Sequence, residues 1–269
     1  MPAVELIRLR TQIHGLATRF HDPVAFCSGL KDILDQYANR AYRPGQVVKP
    51  QPLLPSYRVS PLILRELEME LVRICQGQPD QALRVIEVLW KDAYLETRLL
   101  ASILLGAVPI SRADAVIGLL HAWAQPEENF RIVDTLFQNG TTTLRRQGAG
   151  RLLQLAEEWI GSSSIDIQGI GVRILIPLVQ DTSFENLPPV YRLLTGLVQS
   201  VPGKIQADLN AILEALIHRS PAETAFFLRQ ALPMAQGQAT ARLIRRCLPS
   251  FTAEQQTILR AAIQATNLT

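Results

Sequence analysis

The chain has 269 residues, of which 48% are hydrophobic, 19% are charged and 6% are aromatic, and its formal net charge at pH 7 is +3. This length suffices for one or two domains with buried cores, and the aliphatic, aromatic-poor composition favours helix-on-helix packing over a β-sandwich. The small positive charge permits nucleic-acid binding without requiring it, and the lack of any run of about 20 uncharged apolar residues excludes an ordinary membrane span.

Two helices and a proline-rich segment are predicted first. Apolar residues recur at helical spacing from Leu6 to Leu16, and Asp22-Pro23 is a capping residue followed by a proline at the first helical position. These features predict an N-terminal helical hairpin over residues 1–40. Residues 41–61 contain five prolines, which exclude a long helix and predict either an extended arm on the surface or a linker.

From residue 62 onward, prolines, glycines and capping residues separate amphipathic segments at regular intervals, and no alternating run typical of a strand occurs. The helices are predicted over residues 62–76, 80–91, 94–106, 112–124, 127–138, 142–160, 165–180, 186–200, 204–219, 221–232, 235–247 and 253–267. Pro177 is expected to kink its helix or to end it early.

The stretch from Val85 to Gly106 indicates how these helices pack. Two short amphipathic helices are joined there by a turn of a few residues, Lys91–Tyr94, so they must run antiparallel. One such pair cannot cover its own apolar faces, and pairs recur about every 35–45 residues, as in HEAT-like arrays. The sequence therefore predicts an all-α fold, a HEAT-like α-α superhelix over residues 62–269 that is a right-handed solenoid of about six stacked helix pairs and acts through its concave face.

The same stretch carries a family resemblance. Leu89-Trp90, Glu96-Thr97-Arg98 and the Ala/Leu-rich helix 99–105 resemble the second HEAT-like repeat of the DNA alkylation repair proteins, the alkylpurine DNA glycosylase-like class. The resemblance extends over about residues 62–248. It implies a concave solenoid whose basic inner face holds duplex DNA and which removes alkylated bases without flipping them fully.

The resemblance also implies a site. The family lines its cleft with two tryptophans, an aspartate and an arginine. In this chain Phe130 stands at the first tryptophan position and Asp134 at the aspartate position, whereas Gly169 replaces the arginine and Ala211 the second tryptophan. Phe130 and Asp134 are therefore the candidate catalytic residues.

Two of the four pocket groups are thus missing. Cleavage of a cationic alkylbase needs carboxylate stabilisation and aromatic faces, so weak or absent glycosylase activity is predicted. The alternative interpretations are core packing for Phe130 and a solvent-facing or capping carboxylate for Asp134.

Basic residues form two groups along the chain. Arg145, Arg146 and Arg173 are predicted to contact DNA phosphates, and the first two are expected near a helix start, where free N–H groups favour an anion. The alternative is that they are ordinary solvated arginines. Further basic residues lie at Arg151 and at Arg229, Arg242, Arg245 and Arg246. Arg98 is predicted to pair with Glu96.

Other motifs predict no further chemistry. The four histidines are scattered, and no P-loop, GxSxG or dinucleotide-binding motif is present, so neither a metal nor a cofactor is predicted. The charged N-terminal turns do not resemble a signal peptide. The three cysteines are far apart, and they are predicted to be buried free thiols of a cytoplasmic protein.

Two functions from different classes stay open. The first is a DNA-binding repair module, and the second is a HEAT-like scaffold for a protein partner.

Overall fold

The described part of this protein forms helices connected by short turns and loops. The computed structural model describes residues 6–39, 54–235 and 238–266. Within these ranges it contains fifteen α-helices and four 3-10 turns and no strand, which confirms the predicted all-α class. Residues 41–53 of the predicted arm or linker, which spans residues 41–61, lie outside the described residues. The chain divides into two compact units, residues 1–144 and 145–269.

The first unit contains seven complete helices and the start of an eighth. They are α1 (Leu6–Ala17), α2 (Pro23–Gln36), α3 (Pro61–Gly77), α4 (Pro79–Trp90), α5 (Leu95–Leu105), α6 (Ala113–Trp123), α7 (Phe130–Gln138) and the short α8 (Thr142–Gln147), in which the unit boundary falls. Helix α2 starts as the sequence predicts, because the Asp22 carboxylate accepts the Val24 and Ala25 N–H groups, each at 3.1 Å, ahead of Pro23.

Helices of the first unit form two rows. In one row α1, α3, α5 and α7 contact each other in succession, and in the other α2 contacts α4. Helix α6 lies against α4, because the Trp90 and Trp123 rings stack with their centroids 4.2 Å apart and their planes 5° apart. Contacts between helices two apart in sequence are expected where antiparallel helix pairs stack.

The second unit repeats this arrangement. Its helices are α9 (Ala149–Ile160), α10 (Ile165–Gln180), α11 (Pro188–Ser200), α12 (Gln206–Arg219), α13 (Pro221–Ala231), α14 (Ala239–Cys247) and α15 (Ala253–Thr266). One row consists of α9, α11, α13 and α15, and the other of α10, α12 and α14.

One predicted helix is wrong, and so is one of the two outcomes predicted for Pro177, an early helix end. The segment 142–160 is not one helix, because the chain breaks at Gly148 between α8 and α9. Helix α10 does not end early at Pro177 but continues to Gln180. The proline lacks the N–H that would bond to the carbonyl of Arg173, but Leu178 and Val179 beyond it are fully buried, so apolar packing holds the last turn in place.

The end of the proline-rich segment lies against the N-terminal end of α5. The carbonyl of Pro55 accepts the N–H of Leu95 at 2.9 Å, and the rings of Tyr57 and Tyr94 stack with centroids 4.2 Å apart. The Glu96 carboxylate accepts three further bonds from residues 56–58. Residues 55–58 are therefore packed and hydrogen-bonded against the start of α5.

All three cysteines are buried free thiols, as predicted. Burial raises the pKa of Cys75 and of Cys247 to about 12, so both are protonated at neutral pH. Among the described residues no single helix is long and apolar enough to cross a membrane. Helix α5 and residues 110–123 reach that length and apolar composition only when they are combined, and a bend of 109° separates them.

Candidate nucleic-acid interface

Helix α7 presents both candidate catalytic residues to solvent. Its first turn is capped by Asn129, whose side-chain oxygen accepts the Arg131 N–H at 3.0 Å. One side of the helix is buried through Ile132, Val133, Leu136 and Phe137. Phe130 is 49% exposed, and Asp134, one turn further, is also exposed. Phe130 therefore does not pack in the core, and Asn129 rather than Asp134 caps the helix.

The contact between α5 and α7 holds this helix in place. Ile132 packs with Leu95 and Leu99, and Trp90 lies against this cluster. At its edge Arg98 binds the Glu128 carboxylate through both terminal nitrogens, with Nη1 3.1 Å from Oε1. The predicted pairing of Arg98 with Glu96 is wrong, because residues two apart on a helix do not face each other.

Arg145 and Arg146 occupy the last turn of α8 rather than a helix start. The side chain of Arg145 is mostly buried, and its Nε lies 3.6 Å from Oδ2 of Asp181. Burial lowers the pKa of the Arg145 guanidinium, against the opposing effect of the Asp181 charge. Arg146 is exposed and takes part in no ion pair among the residues that the structure describes. Of the two, Arg146 is the better placed to meet an anion.

Arg173 faces an aspartate on the neighbouring helix. Its Nε lies 3.9 Å from Oδ1 of Asp208, and both side chains are partly buried. Burial raises the pKa of Asp208, and the charge of Arg173 opposes this shift. Any phosphate contact of Arg173 would therefore compete with Asp208.

Gly169 leaves little room for the arginine side chain that the resemblance implies at this position. It is buried against α12, and an added Cβ would lie 2.9 Å from Cγ2 of Ile205 and 3.3 Å from Oδ2 of Asp208. Gly171 is equally tight, since its Cβ would lie 2.8 Å from Cγ1 of Ile160. Both glycines therefore serve close helix packing. Ala211, by contrast, is exposed on α12.

Helix α14 carries a basic face, formed by arginines of the second basic group in the sequence. Arg242, Arg245 and Arg246 are exposed, whereas Leu243, Ile244 and Cys247 are buried on the other side. Across the described residues none of these three arginines is in an ion pair. Their spacing of three and four residues, visible in the sequence, places them along one face of the helix.

An apolar groove lies in the other row of the second unit, between α11 and α13. It has a volume of about 590 Å³ and is lined mainly by Pro188, Tyr191, Phe226 and Phe227. Phe226 is an exposed large apolar residue, and the hydroxyl of Tyr191 bonds to Oγ1 of Thr224 at 2.9 Å. No groove was predicted from the sequence; the adjacent residues Phe226 and Phe227 are the feature that could have indicated it. Within the described part of the chain no three His, Cys, Asp or Glu side chains come together as a metal site would require.

Within each unit the helices contact one another in two rows, which defines an all-helical protein built from stacked helices. Residues 62–247 match the family model for DNA alkylation repair enzymes, so the chain belongs to that family. The matched range agrees with the extent of the resemblance found in the sequence and indicates a role related to DNA repair. Comparison with curated proteins and with solved structures gave no significant match.

Proposed function

We propose that this protein binds duplex DNA, including alkylated DNA, on the concave face that its family resemblance implies, and that it has weak or no glycosylase activity. The observation that carries the proposal is the exposed pair on α7: Phe130 and Asp134 lie one turn apart on the side of the helix that faces away from the core. An exposed aromatic ring beside a carboxylate suits a cationic base and the positive charge of the sugar beneath it.

The missing half of the pocket supports the second part of the proposal. At Gly169 a side chain would collide with Cγ2 of Ile205, so the position cannot supply a cation unless Ile205 moves. Ala211 offers a methyl group where the family has an aromatic wall. Losing the groups that orient the phosphate and the base costs several orders of magnitude in rate, because catalysis depends on holding the reacting groups in place.

Phosphate contacts are assigned to the exposed arginines. Arg146 and the basic face of α14, Arg242, Arg245 and Arg246, are accessible and need not give up an ion pair to bind. Arg145 and Arg173 stay in the proposal, but each would have to share its charge with an aspartate. Bidentate binding of phosphate by guanidinium groups provides affinity that does not depend on base sequence.

The affinity for duplex DNA is expected to fall steeply with salt. Neutralising the α14 face in the triple variant Arg242→Gln, Arg245→Gln, Arg246→Gln should reduce the slope of log affinity against log salt by about one for each phosphate that the variant no longer neutralises. Fluorescence anisotropy of a labelled duplex over a series of KCl concentrations measures this slope.

The matched control is a second set of three exposed arginines, which lie on the other row of the same unit: Arg192, Arg229 and Arg260. Their change to glutamine alters the net charge equally and should leave the slope nearly unchanged. Equal losses from the two triple variants would show that the charge of the whole protein, rather than the α14 face, attracts the DNA.

Base release from duplex DNA methylated on purine nitrogens is expected to stay near the uncatalysed level. The substitution Asp134→Asn should then change little in the release rate, because the carboxylate acts without the cation and the second aromatic ring. Chromatographic counting of released bases checks this. Enzyme-dependent release that Asp134→Asn abolishes would instead establish a working glycosylase.

The groove between α11 and α13 favours a second candidate function, a scaffold that binds an apolar segment of a protein partner. The salt titration discriminates between the two functions, since a scaffold of this kind shows no salt-dependent binding of DNA. Phe226→Ser would then abolish partner binding, whereas under the preferred function it leaves DNA affinity unchanged.

A further inference from the structure

A chain of contacts leads from the core of the first unit to the start of α7. Arg98 on α5 donates hydrogen bonds to the Glu128 carboxylate through both terminal nitrogens, and the two side chains are only 15% and 16% exposed. The same Oε1 atom of Glu128 accepts the N–H of Asn129 at 2.8 Å. Asn129 in turn caps α7 at Arg131. Each of these contacts is a polar, directional hydrogen bond.

The other end of this chain is anchored in aromatic packing. The Arg98 guanidinium carbon lies 4.4 Å from the centroid of the Trp90 ring, and Trp90 stacks on Trp123 at the end of α6. A planar guanidinium can stack on an aromatic ring while its edge binds a carboxylate, and an ammonium group cannot do both. The arginine is thereby held in one orientation.

We propose that Arg98 is a positioning residue for the candidate site: through Glu128 and Asn129 it sets the direction in which α7 presents Phe130 and Asp134. This inference rests on the proposed function, because it concerns residues proposed to meet the DNA. Phe130 is the first residue of α7, so a small change at Asn129 displaces its ring directly. Without the two hydrogen bonds from Arg98, the Glu128 side chain is free to move. Asn129, which caps α7, then loses an acceptor that is held in a fixed position.

The physical basis also accounts for a sequence motif. Trp90 and Arg98 belong to the stretch that carries the family resemblance, although they lie outside the pocket itself. In the fold Trp90 supplies the ring on which Arg98 stacks, and Arg98 donates two hydrogen bonds to Glu128. Both residues therefore act on α7, which bears the candidate residues. A positive charge at position 98 is insufficient to fix the start of α7, because the planar guanidinium positions Glu128 through two hydrogen bonds.

Arg98→Lys keeps the positive charge but removes the paired hydrogen bonds to Glu128 and the stacking on Trp90. The expected result is that amide hydrogen exchange of Ile132 and Val133, whose N–H groups both bond to the carbonyl of Asn129, becomes about tenfold faster, while helix content stays unchanged. DNA affinity should fall about three- to tenfold, and this loss should largely vanish when Phe130→Ala is already present, because the two changes act on one contact.

The matched control is Arg112→Lys, since Arg112 also binds a carboxylate through two nitrogens, both at 2.7 Å from Asp80, but the side chains are 44% and 61% exposed. It should alter neither exchange in α7 nor DNA affinity. Should Arg98→Lys fail to fold, the paired change Arg98→Met with Glu128→Leu removes both buried charges together and preserves apolar volume. It should show the same faster exchange.

The proposal is overturned if Arg98→Lys leaves amide exchange at Ile132 and Val133 unchanged. It is also overturned if the loss of DNA affinity caused by Arg98→Lys simply adds to the loss caused by Phe130→Ala. If Phe130→Ala itself leaves DNA affinity unchanged, the proposed contact of Phe130 is what fails, and the exchange measurement alone decides whether Arg98 fixes α7.

Discussion

Gly106→Ala is expected to destabilise the protein by roughly 3–5 kcal/mol, which is large for a single added methyl group. A Cβ at this position would lie 1.8 Å from the carbonyl oxygen of Asn139, 2.9 Å from its carbonyl carbon and 3.2 Å from Cα of Gly140. All three are backbone atoms, so no side chain can rotate to make room. Thermal unfolding followed by circular dichroism should show a midpoint lowered by about 10 °C or more.

The close approach has a structural purpose. The carbonyl of Gly106 accepts the N–H of Thr143 at 3.3 Å and its hydroxyl at 2.6 Å, so the first turn of α8 is bonded to the C-terminal end of α5. Gly140 is also tightly packed, since its Cβ would lie 2.5 Å from the carbonyl oxygen of Leu136. Gly140→Ala is therefore expected to destabilise the unit in the same way.

Gly118→Ala is the control for this substitution. Gly118 lies in the middle of α6 with nothing within 4 Å of an added Cβ. Because alanine favours a helix over glycine, this change should stabilise the protein by about 0.5–1 kcal/mol. A midpoint for Gly106→Ala within a few degrees of the unaltered protein would mean that the backbone can move apart here, against our expectation.

The helices could be predicted from the sequence because each buries one apolar stripe, and a stripe of that kind is a local pattern. The face of α7 was also predictable, since Phe130 and Asp134 are four residues apart. The role of Gly106 was not. In the sequence it is a helix-ending glycine, and only the passage of residues 139–143 across it makes its missing side chain essential.

Partners distant in sequence explain the misjudged arginines. Arg145 and Arg173 belong to basic clusters in the sequence, but the fold brings Asp181 to the first and Asp208 to the second. Whether a charge is available to a ligand depends on such contacts across helices, and helical periodicity contains no information about them. The exposed arginines of α14 could be predicted better, because their buried neighbours alternate with them on the same helix.

Arg98 and Glu96 show the same limit at short range. Proximity in sequence suggested that they pair, but their side chains leave α5 in different directions. Arg98 reaches toward Glu128, and Glu96 turns back to the segment before α3.

Glu96→Ala is the second substitution for which a large effect is expected. Glu96 is only 4% exposed, and its carboxylate accepts the Ser56 hydroxyl at 2.7 Å, the Tyr57 N–H at 3.1 Å and the Arg58 N–H at 2.8 Å. Removing it leaves the Ser56 hydroxyl and the Tyr57 N–H without this acceptor, and the Arg58 N–H keeps only Oγ of Ser56, at 3.1 Å. Hydrogen bonds to a charged group contribute about 1.5–3 kcal/mol each, so a total loss of roughly 3–5 kcal/mol is expected after relaxation. Chemical denaturation measures this free energy.

The carboxylate also holds a strained backbone. Arg58 has a φ of 53°, a left-handed conformation that costs a residue with a side chain about 1–2 kcal/mol. Once Glu96 is gone, residues 56–58 are free to relax, and amide exchange at Tyr57 and Arg58 should accelerate far more than elsewhere in the first unit. Glu87→Ala, at an exposed position of α4, removes the same charge and should change stability by less than about 0.5 kcal/mol. Equal losses from the two substitutions would show that the segment before α3 is held by its aromatic stack and the bond from Leu95 to Pro55, and that the Glu96 carboxylate contributes only its charge.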